Sequence, residues 1–175
     1  TTGAVSFLVA PDFESGPGPF AITVTATDAG SLLDTQNITV NVTNVNEAPV
    51  LGGDATVSVA ENTTAVGTFA AVDPDAGDTV TYSLSGADSA LFTVNASTGV
   101  VSMVARNFES PADDGANNVY NYTLIATDAD SNTTSQAVAV TVTDVVETSA
   151  LTLSNLADSS VAENAAYTST TPSVS

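Results

Sequence analysis

Asn44-Val45-Asn46-Glu47-Ala48-Pro49 lies between two stretches that have the pattern of β-strands. Residues 36–43 alternate polar and apolar side chains as a half-buried strand does, and residues 55–60 show a second short strand pattern. Pro49 has no N–H group with which to continue a β-ladder, so strand pairing should stop there. The segment is therefore predicted to be a crossing between two β-rich units, and it carries several oxygen donors.

The charge of the chain is strongly one-sided. Its 175 residues are enough for one or two domains, and a hydrophobic share of 43% is enough for a core. One basic residue faces 20 acidic ones, which gives a formal net charge of -19. Carboxylates at this density repel one another unless a cation intervenes, and a divalent metal is the simplest candidate. Nucleic acids and anionic membranes are disfavoured as partners, because they are held through Lys and Arg.

The chain contains neither Cys nor His. This excludes disulfides, thiol nucleophiles, Ser-His-Asp catalysis and the usual zinc sites. The remaining ligand atoms are oxygens, which suit a hard ion such as Ca²⁺. No apolar run approaches the length of a membrane span, and no signal peptide or initiator Met opens the sequence. We expect a part of a longer protein, without direct membrane insertion in this part.

Short segments of the chain occur twice, about one small domain apart. Ser58-Val59-Ala60-Glu61-Asn62 recurs as Ser160-Val161-Ala162-Glu163-Asn164, and Ala26-Thr27-Asp28 recurs as Ala126-Thr127-Asp128. The repetition predicts the second half of one repeat plus a linker at residues 1–49, a complete repeat at 50–147, and the start of a third at 148–175. Half a sandwich leaves a sheet edge uncovered, so the terminal fragments should be disordered or borrow strands from another molecule.

The complete repeat has the pattern of an all-β domain. Strands are predicted near residues 55–60, 66–72, 79–85, 91–94, 100–104, 119–127 and 135–143. Their alternation indicates one buried and one wet face, as in antiparallel sheets. About seven such strands predict an immunoglobulin-like Greek-key β-sandwich, although a jelly roll would leave a similar pattern. One helical turn is expected near residues 87–90.

Six segments of the chain resemble the cadherin repeat, in the form common in bacterial surface proteins. They are Val-Ala-Glu-Asn around Glu61, Asp-x-Asp-x-Gly at Asp73, Asp75 and Gly77, Phe-x-Val-x-x-x-Thr-Gly from Phe92 to Gly99, Asp-x-Glu at Asp12 and Glu14, Ala-x-Asp at Asp28 and Asp128, and the linker from Asn44 to Pro49. The resemblance covers essentially the whole chain, and the segments stand in the order of that family.

The resemblance implies calcium ions between successive repeats, held by the lower repeat, the linker and the upper repeat. For the first junction it implies the ligands Asp12, Glu14, Asn44, Asn46, Glu47, Asp73, Asp75 and Asp128. For the second junction it implies Glu61, Asn107, Glu109, Asp144 and Glu147. Asn44 and Glu47 stand where the family usually has Asp, and Val146 replaces a linker Asn. The second site is therefore expected to be partial or empty in this chain.

The resemblance also implies a function outside the cell. We expect an extracellular protein, secreted or on the cell surface, in which calcium stiffens tandem repeats of a stalk or adhesin that supports cell or matrix adhesion. Its partners would be calcium, the adjacent repeats of the same chain, and either another adhesin copy or a surface glycan.

Two other classes of function were weighed. A calcium-dependent carbohydrate-binding module is the alternative, but it needs exposed aromatic rings. The chain has no Trp, and Tyr82, Tyr120 and Tyr122 are predicted in the core, which leaves Tyr167. Paired carboxylates also serve glycosidases, yet here the acidic positions recur from repeat to repeat, so no enzyme is expected. Asp113 is predicted in a solvated turn, and Arg106 as a partner of nearby carboxylates.

Overall fold

The structure, a computed structural model, describes residues 3–16, 18–147, 153–154 and 173–174. The chain divides into two compact units, Thr1–Asp144 and Val145–Ser175. In the second unit the described strands β12 and β13 pair antiparallel, at Leu153–Ser154 and Ser173–Val174. Most of the predicted third repeat, with Glu163 and Tyr167, lies outside the described residues.

The first unit begins with a β-hairpin. Strands β1 (Phe20–Thr27) and β2 (Leu33–Val40) are antiparallel, with Phe20 opposite Val40 and Thr27 opposite Leu33. Asp28 closes the turn between them, because its Oδ1 accepts the Leu32 N–H at 2.9 Å. The strand predicted before the linker is therefore present, and it ends at Val40 rather than Thr43.

The following residues form nine strands and one short 3-10 helix at Ser89–Leu91, close to the predicted helical turn. The strands are β3 (Val50–Leu51), β4 (Thr56–Ala60), β5 (Ala65–Thr68), β6 (Ala71–Val72), β7 (Thr81–Ser85), β8 (Phe92–Val94), β9 (Val100–Met103), β10 (Val119–Thr127) and β11 (Thr133–Thr143). The described residues contain no helix with the length and apolarity of a membrane span.

These strands build an immunoglobulin-like Greek-key β-sandwich, as predicted. One sheet has the order β4-β11-β10-β7, with β4 parallel to β11 and the other neighbours antiparallel. The second sheet has the order β5-β9-β8, and β3 pairs with β6. The core lies between the sheets and is formed by alternate side chains, including Val66, Phe69, Phe92, Val101, Met103, Tyr120, Tyr122, Leu124, Val138, Val140 and Val142.

One predicted strand, residues 66–72, is divided between two pairings. Its first part, β5, pairs with β9, whereas its second part, β6, pairs with β3. The chain crosses at Phe69, whose side chain is buried in the core and whose N–H donates to the Gly99 carbonyl at 3.0 Å. Gly99 has a φ of +67°, and a Cβ atom there would lie 2.5 Å from the Phe69 carbonyl oxygen. The Thr-Gly segment is therefore required by this close approach.

Asp113 does not lie in a solvated turn. Its side chain is only 7% exposed, and its Oδ1 accepts the Asn118 N–H at 2.9 Å. The Asn117 N–H donates to both carboxylate oxygens, at 3.2 Å and 3.0 Å. The prediction of a solvated turn was wrong because Asp113 satisfies the backbone of its own loop.

Arg106 also differs from its prediction. Its guanidinium carbon lies 5.7 Å from the centre of the Tyr120 ring, within the range of a cation–π contact. Within the part of the chain that the structure describes, no carboxylate oxygen comes within 4.0 Å of this guanidinium group. The stacking on a core tyrosine therefore replaces the predicted ion pair.

Candidate metal centres

Acidic side chains lie where several strands of the sandwich end. Asp73 follows β6 directly, Asp128 follows β10, and Asp144 follows β11. The linker between β2 and β3 carries Asn44, Asn46 and Glu47 into the same region as the first two of these. Because ladder pairing stops at strand ends, the polar groups there are free to meet side chains from elsewhere in the chain.

The first group of carboxylates joins three segments that are distant in the sequence: the turn before β1, the linker between β2 and β3, and the loop after β6. Glu14, Glu47 and Asp75 each offer one oxygen, and these oxygens lie within 4.8 Å of one another. The Asn44 amide donates to Asp75 Oδ1 at 2.6 Å, and the Glu47 N–H donates to Asp75 Oδ2 at 2.9 Å. These two donors lower the pKa of Asp75, the Asn44 amide contributing most. We call Glu14, Glu47 and Asp75 the linker triple.

Electrostatic repulsion from neighbouring carboxylates acts on Glu47 in the linker triple. Desolvation raises its pKa above the ordinary value, and the negative charges of Glu14, Asp75 and Asp12 raise it further. Asp12 itself belongs to no described triple. Its Oδ1 accepts the Glu14 N–H at 3.0 Å, and hydrogen bonds from Ser15 lower its pKa. Asp12 therefore orients the turn that presents Glu14.

A second group lies between the loop that follows β6 and the end of β10. Asp73, Asp78 and Asp128 offer oxygens within 4.8 Å of one another, and we call them the loop triple. Asp128 is 5% exposed and accepts the Asn46 amide at 2.7 Å. Burial raises the pKa of Asp128, but the amide groups of Asn46 and Asn132 outweigh it and leave this pKa below its ordinary value. Asp73 Oδ2 is buried and has no hydrogen-bond partner.

Asp78 is a candidate ligand that sequence reasoning missed. It is the third carboxylate of Asp73-Pro74-Asp75-Ala76-Gly77-Asp78, a segment in which only the first two had been assigned. Gly77, with a φ of +92°, turns the chain so that the Asp78 N–H donates to the Asp75 carbonyl at 3.1 Å. The signal in the sequence was the glycine, which allows the loop to fold back on itself.

The third group is at the opposite end of the four-stranded sheet, where β4 and β11 end. Glu61, Glu109 and Asp144 offer oxygens within 4.8 Å of one another, and we call them the distal triple. Glu61 is only 3% exposed and its Oε2 accepts the Phe108 N–H at 2.9 Å. Asn107 Oδ1 accepts the Glu109 N–H at 2.8 Å, which repeats the contact between Asp12 and Glu14. Glu147 is exposed and belongs to the second compact unit.

The predicted residues are thus placed as follows. Asn46, Asp73 and Asp128 meet around the loop triple, whereas Asp75 meets Glu14, Asn44 and Glu47 around the linker triple. The sequence placed Asp73 and Asp75 together among the predicted ligands of the first junction, and the structure distributes them between two groups. Their role as metal ligands stays a prediction.

The donor atoms of the three triples fit calcium. Two oxygens bound to one Ca²⁺ at about 2.4 Å each are at most about 4.8 Å apart, which matches the spacing within each triple. All donors are hard oxygens, and the buried, unpaired Asp73 Oδ2 is an acceptor that a cation would satisfy. Carboxylates in such numbers repel one another, so they are stable together when a cation lies between them.

The tyrosines of the described residues offer no platform for a sugar. Tyr82, Tyr120 and Tyr122 are all buried, as predicted. The hydroxyl of Tyr122 has no hydrogen-bond partner, and burial raises the pKa of Tyr122 to about 12. The aromatic stacking surface that a carbohydrate site needs is therefore not formed by these rings.

Comparisons with known proteins give the family and the fold. A family model described as Cadherin domain matches residues 55–143, just over half of the chain. Protocadherin Gamma B2 extracellular cadherin domains 3-6 are 28% identical, with a TM-score of 0.55, over 77% of this chain and 34% of that one. A cis-dimer structure of protocadherin gammaB7 EC3-6 gives 32% identity, a TM-score of 0.53, and coverage of 76% and 35%.

A more distant structure shares the fold alone. Drosophila N-cadherin EC1-4 is 21% identical, with a TM-score of 0.55, over 74% of this chain and 35% of that one. The chain thus spans about a third of the length of these three structures. No curated protein sequence is significantly similar to it.

Proposed function

Because the chain belongs to the cadherin domain family, we propose that the linker and loop triples are calcium sites that stiffen the boundary between residues 1–49 and residues 50–147, and that the distal triple, although the sequence predicts it to be partial, also binds a calcium ion. Cadherin domains are extracellular repeats of the adhesion type and are not enzymes. The repeats proposed here are residues 1–49, 50–147 and 148–175.

One observation carries the proposal. Glu14 from the lower repeat, Glu47 from the linker and Asp75 from the upper repeat offer oxygens within 4.8 Å of one another. Calcium bound there would neutralise their mutual repulsion and connect three segments that are otherwise joined by a short, polar linker. The linker could then not bend without breaking coordination, so the repeats would act as a stiff rod.

A stiff rod suits a molecule that holds its tip away from a surface. We propose that the chain is part of such a stalk or adhesin in cell or matrix adhesion, and the form of its sequence segments favours a bacterial surface protein. A second copy of the protein is the partner that we favour, since a similar protein, protocadherin gammaB7, has been solved as a cis-dimer.

Calcium titration of the purified chain tests the sites directly. Titration calorimetry should show binding that Asp75→Asn weakens at least about tenfold. Asp54→Asn removes the same charge from an exposed residue outside the three triples, and it should leave the isotherm unchanged. Equal effects of the two substitutions would show that binding follows total charge rather than the linker triple.

Scattering tests the mechanical part of the proposal. In calcium, small-angle X-ray scattering should give a longer maximum dimension and a narrower distribution of shapes than in excess chelator. The melting temperature should also fall on chelation, because calcium at 100 times its Kd stabilises the folded state by about 2.7 kcal/mol. Identical scattering and melting in both buffers would refute a stiffening role.

A further inference from the structure

Asn118 is a buried residue in the loop before β10, and it makes hydrogen bonds in three directions. It is 8% exposed and its φ is +63°, in the left-handed region that Asn tolerates better than most residues. Its side-chain amide donates to the Phe108 carbonyl at 2.9 Å, and its carbonyl accepts the Val142 N–H at 2.9 Å. Its own N–H donates to Asp113 Oδ1 at 2.9 Å.

Two of these contacts lead to the distal triple. The Asn118 side chain binds the carbonyl of Phe108. The N–H of Phe108 donates to Glu61 Oε2, and Phe108 directly precedes Glu109. Val142, which donates to the Asn118 carbonyl, lies two residues before Asp144 on β11. Asn118 therefore holds the residue that precedes Glu109 and donates to the Glu61 carboxylate, and its main-chain carbonyl holds the strand that leads to Asp144.

The unsatisfied atom of Asn118 indicates that stability alone does not explain it. Its Oδ1 is buried and has no hydrogen-bond partner. Rotating the amide would not help, because Oδ1 would then face the Phe108 carbonyl oxygen, an acceptor. A buried, unpaired acceptor is unfavourable. The arrangement is accounted for if the amide donor is needed to hold Phe108.

The first repeat provides an internal comparison. Alignment of Asp28 with Asp128 places Gly18 opposite Asn118, and Gly18 also has a positive φ, of +86°. The two positions thus share a positive φ, whereas the side chain that reaches Phe108 is present only at position 118. Asn118→Gly therefore removes the side chain and keeps a residue that suits this backbone.

We propose that Asn118 is a positioning residue for the distal triple: by holding Phe108 and β11 it sets the geometry in which Glu61, Glu109 and Asp144 bind one cation. This inference rests on the proposed calcium binding at that triple. Groups that orient metal ligands typically change metal affinity 10- to 100-fold when they are removed.

The test compares variants at two adjacent asparagines in the full chain. Asn118→Gly removes the donor to Phe108, and Asn118→Asp replaces that donor with an acceptor. Asn117→Asp is the matched control, because Asn117 is exposed and its Oδ1, which accepts the Val119 N–H at 2.9 Å, is retained. We expect both Asn118 variants to lower the affinity for Ca²⁺ about 10- to 100-fold at one class of sites, and Asn117→Asp to leave it unchanged.

Glu61→Gln shows whether the affected calcium sites include the distal triple. It also separates the positioning role of Asn118 from the proposed calcium binding at that triple. In the Glu61→Gln background, Asn118→Gly should cause no further loss of calcium affinity. The effect of Asn118→Gly on the melting temperature in chelator should persist. If Glu61→Gln changes calcium binding but Asn118 variants lower the melting temperature equally in calcium and in chelator, Asn118 is merely structural and the inference fails alone. If Glu61→Gln leaves calcium binding unchanged, calcium binding at the distal triple and the inference fail together. If Asn118→Gly does not fold, the same comparison of calcium affinity and melting temperature is made with Asn118→Asp.

Discussion

Asn46 and Asp128 are 82 positions apart, yet the Asn46 amide donates a hydrogen bond of 2.7 Å to Asp128 Oδ2. Asn46 lies in the linker and Asp128 directly follows β10, so the contact ties the linker to the end of an interior strand of the sandwich. Asn44 and Asp75 form a second such contact, at 2.6 Å. The linker is therefore held by side chains of the upper repeat at two points, and the orientation of the crossing depends on carboxylates.

Glu47→Gln should stabilise the protein in chelator and weaken calcium binding. Desolvation and the charges of Glu14, Asp75 and Asp12 all raise the pKa of Glu47, so its ionised form is disfavoured in the folded state. A neutral amide of similar shape removes this repulsion, but it also removes a charged ligand. Thermal melting at pH 7 in chelator should give a higher melting temperature than the unsubstituted chain. A lower melting temperature in chelator would show that Glu47 is favourably paired there.

Asp128→Asn should weaken calcium binding at least about tenfold, whereas Asp28→Asn should not. The two residues follow the same Ala-Thr pair, and each accepts a backbone N–H from its own turn, from Asn132 and Leu32 respectively. Only Asp128 belongs to a described triple. Titration calorimetry on both variants compares the same chemical change in two similar turns. A similar loss of calcium affinity in both variants would contradict the assignment of the loop triple.

The sequence predicted the fold well because polar and apolar side chains alternate along its strands, most regularly in the two long strands β10 and β11. The burial of Tyr120, Tyr122 and Leu124 on one face of β10 follows from period-2 spacing. The crossing at Phe69 was missed, because a strand that changes its partner keeps the same alternation and only the tertiary contacts separate its halves. Local pattern therefore locates strands, but not the sheet to which each belongs.

The sequence predicted that several of these polar side chains would converge, but it predicted neither their grouping nor the participation of Asp78. Asn44, Asn46, Asp73, Asp75 and Asp128 do converge on the first crossing. Their division between two triples depends on side-chain directions in one tight loop, and the sequence does not encode these separately. The role of Asp113 was mistaken for a similar reason, because a carboxylate that caps its own loop has the same sequence pattern as a solvated one.

Asp113→Asn should destabilise the protein by about 1 kcal/mol at pH 7, since hydrogen bonds to a charged acceptor are stronger than those to a neutral one. Burial raises the pKa of Asp113, but the backbone N–H groups of Asn117 and Asn118 outweigh it and leave this pKa below the ordinary value of 3.8. A lowered folded-state pKa contributes stability that is present above pH 3.8 and is lost as the pH falls through the folded value.

The Asp113→Asn variant and the unsubstituted chain should therefore become equally stable in strongly acidic buffer. Denaturant unfolding between pH 7 and pH 2 measures this convergence. Asp114→Asn is the control, because Asp114 is exposed, and it should have little effect at any pH. A difference that stays constant down to pH 2 would mean that the charge of Asp113 is not what the loop requires.

Gly99→Ala should destabilise the fold more than Gly77→Ala when both are measured in chelator. Both glycines have a positive φ, of +67° and +92°, so each substitution incurs backbone strain of about 1–2 kcal/mol. At Gly99 the new Cβ would also lie 2.5 Å from the Phe69 carbonyl oxygen, whereas nothing lies within 4 Å at Gly77. Because of this steric clash, denaturant unfolding should show a larger loss of unfolding free energy for Gly99→Ala than for Gly77→Ala. Equal losses would show that the chain can shift at Phe69, and that its crossing between β9 and β3 is less constrained than the contacts around Gly99 indicate.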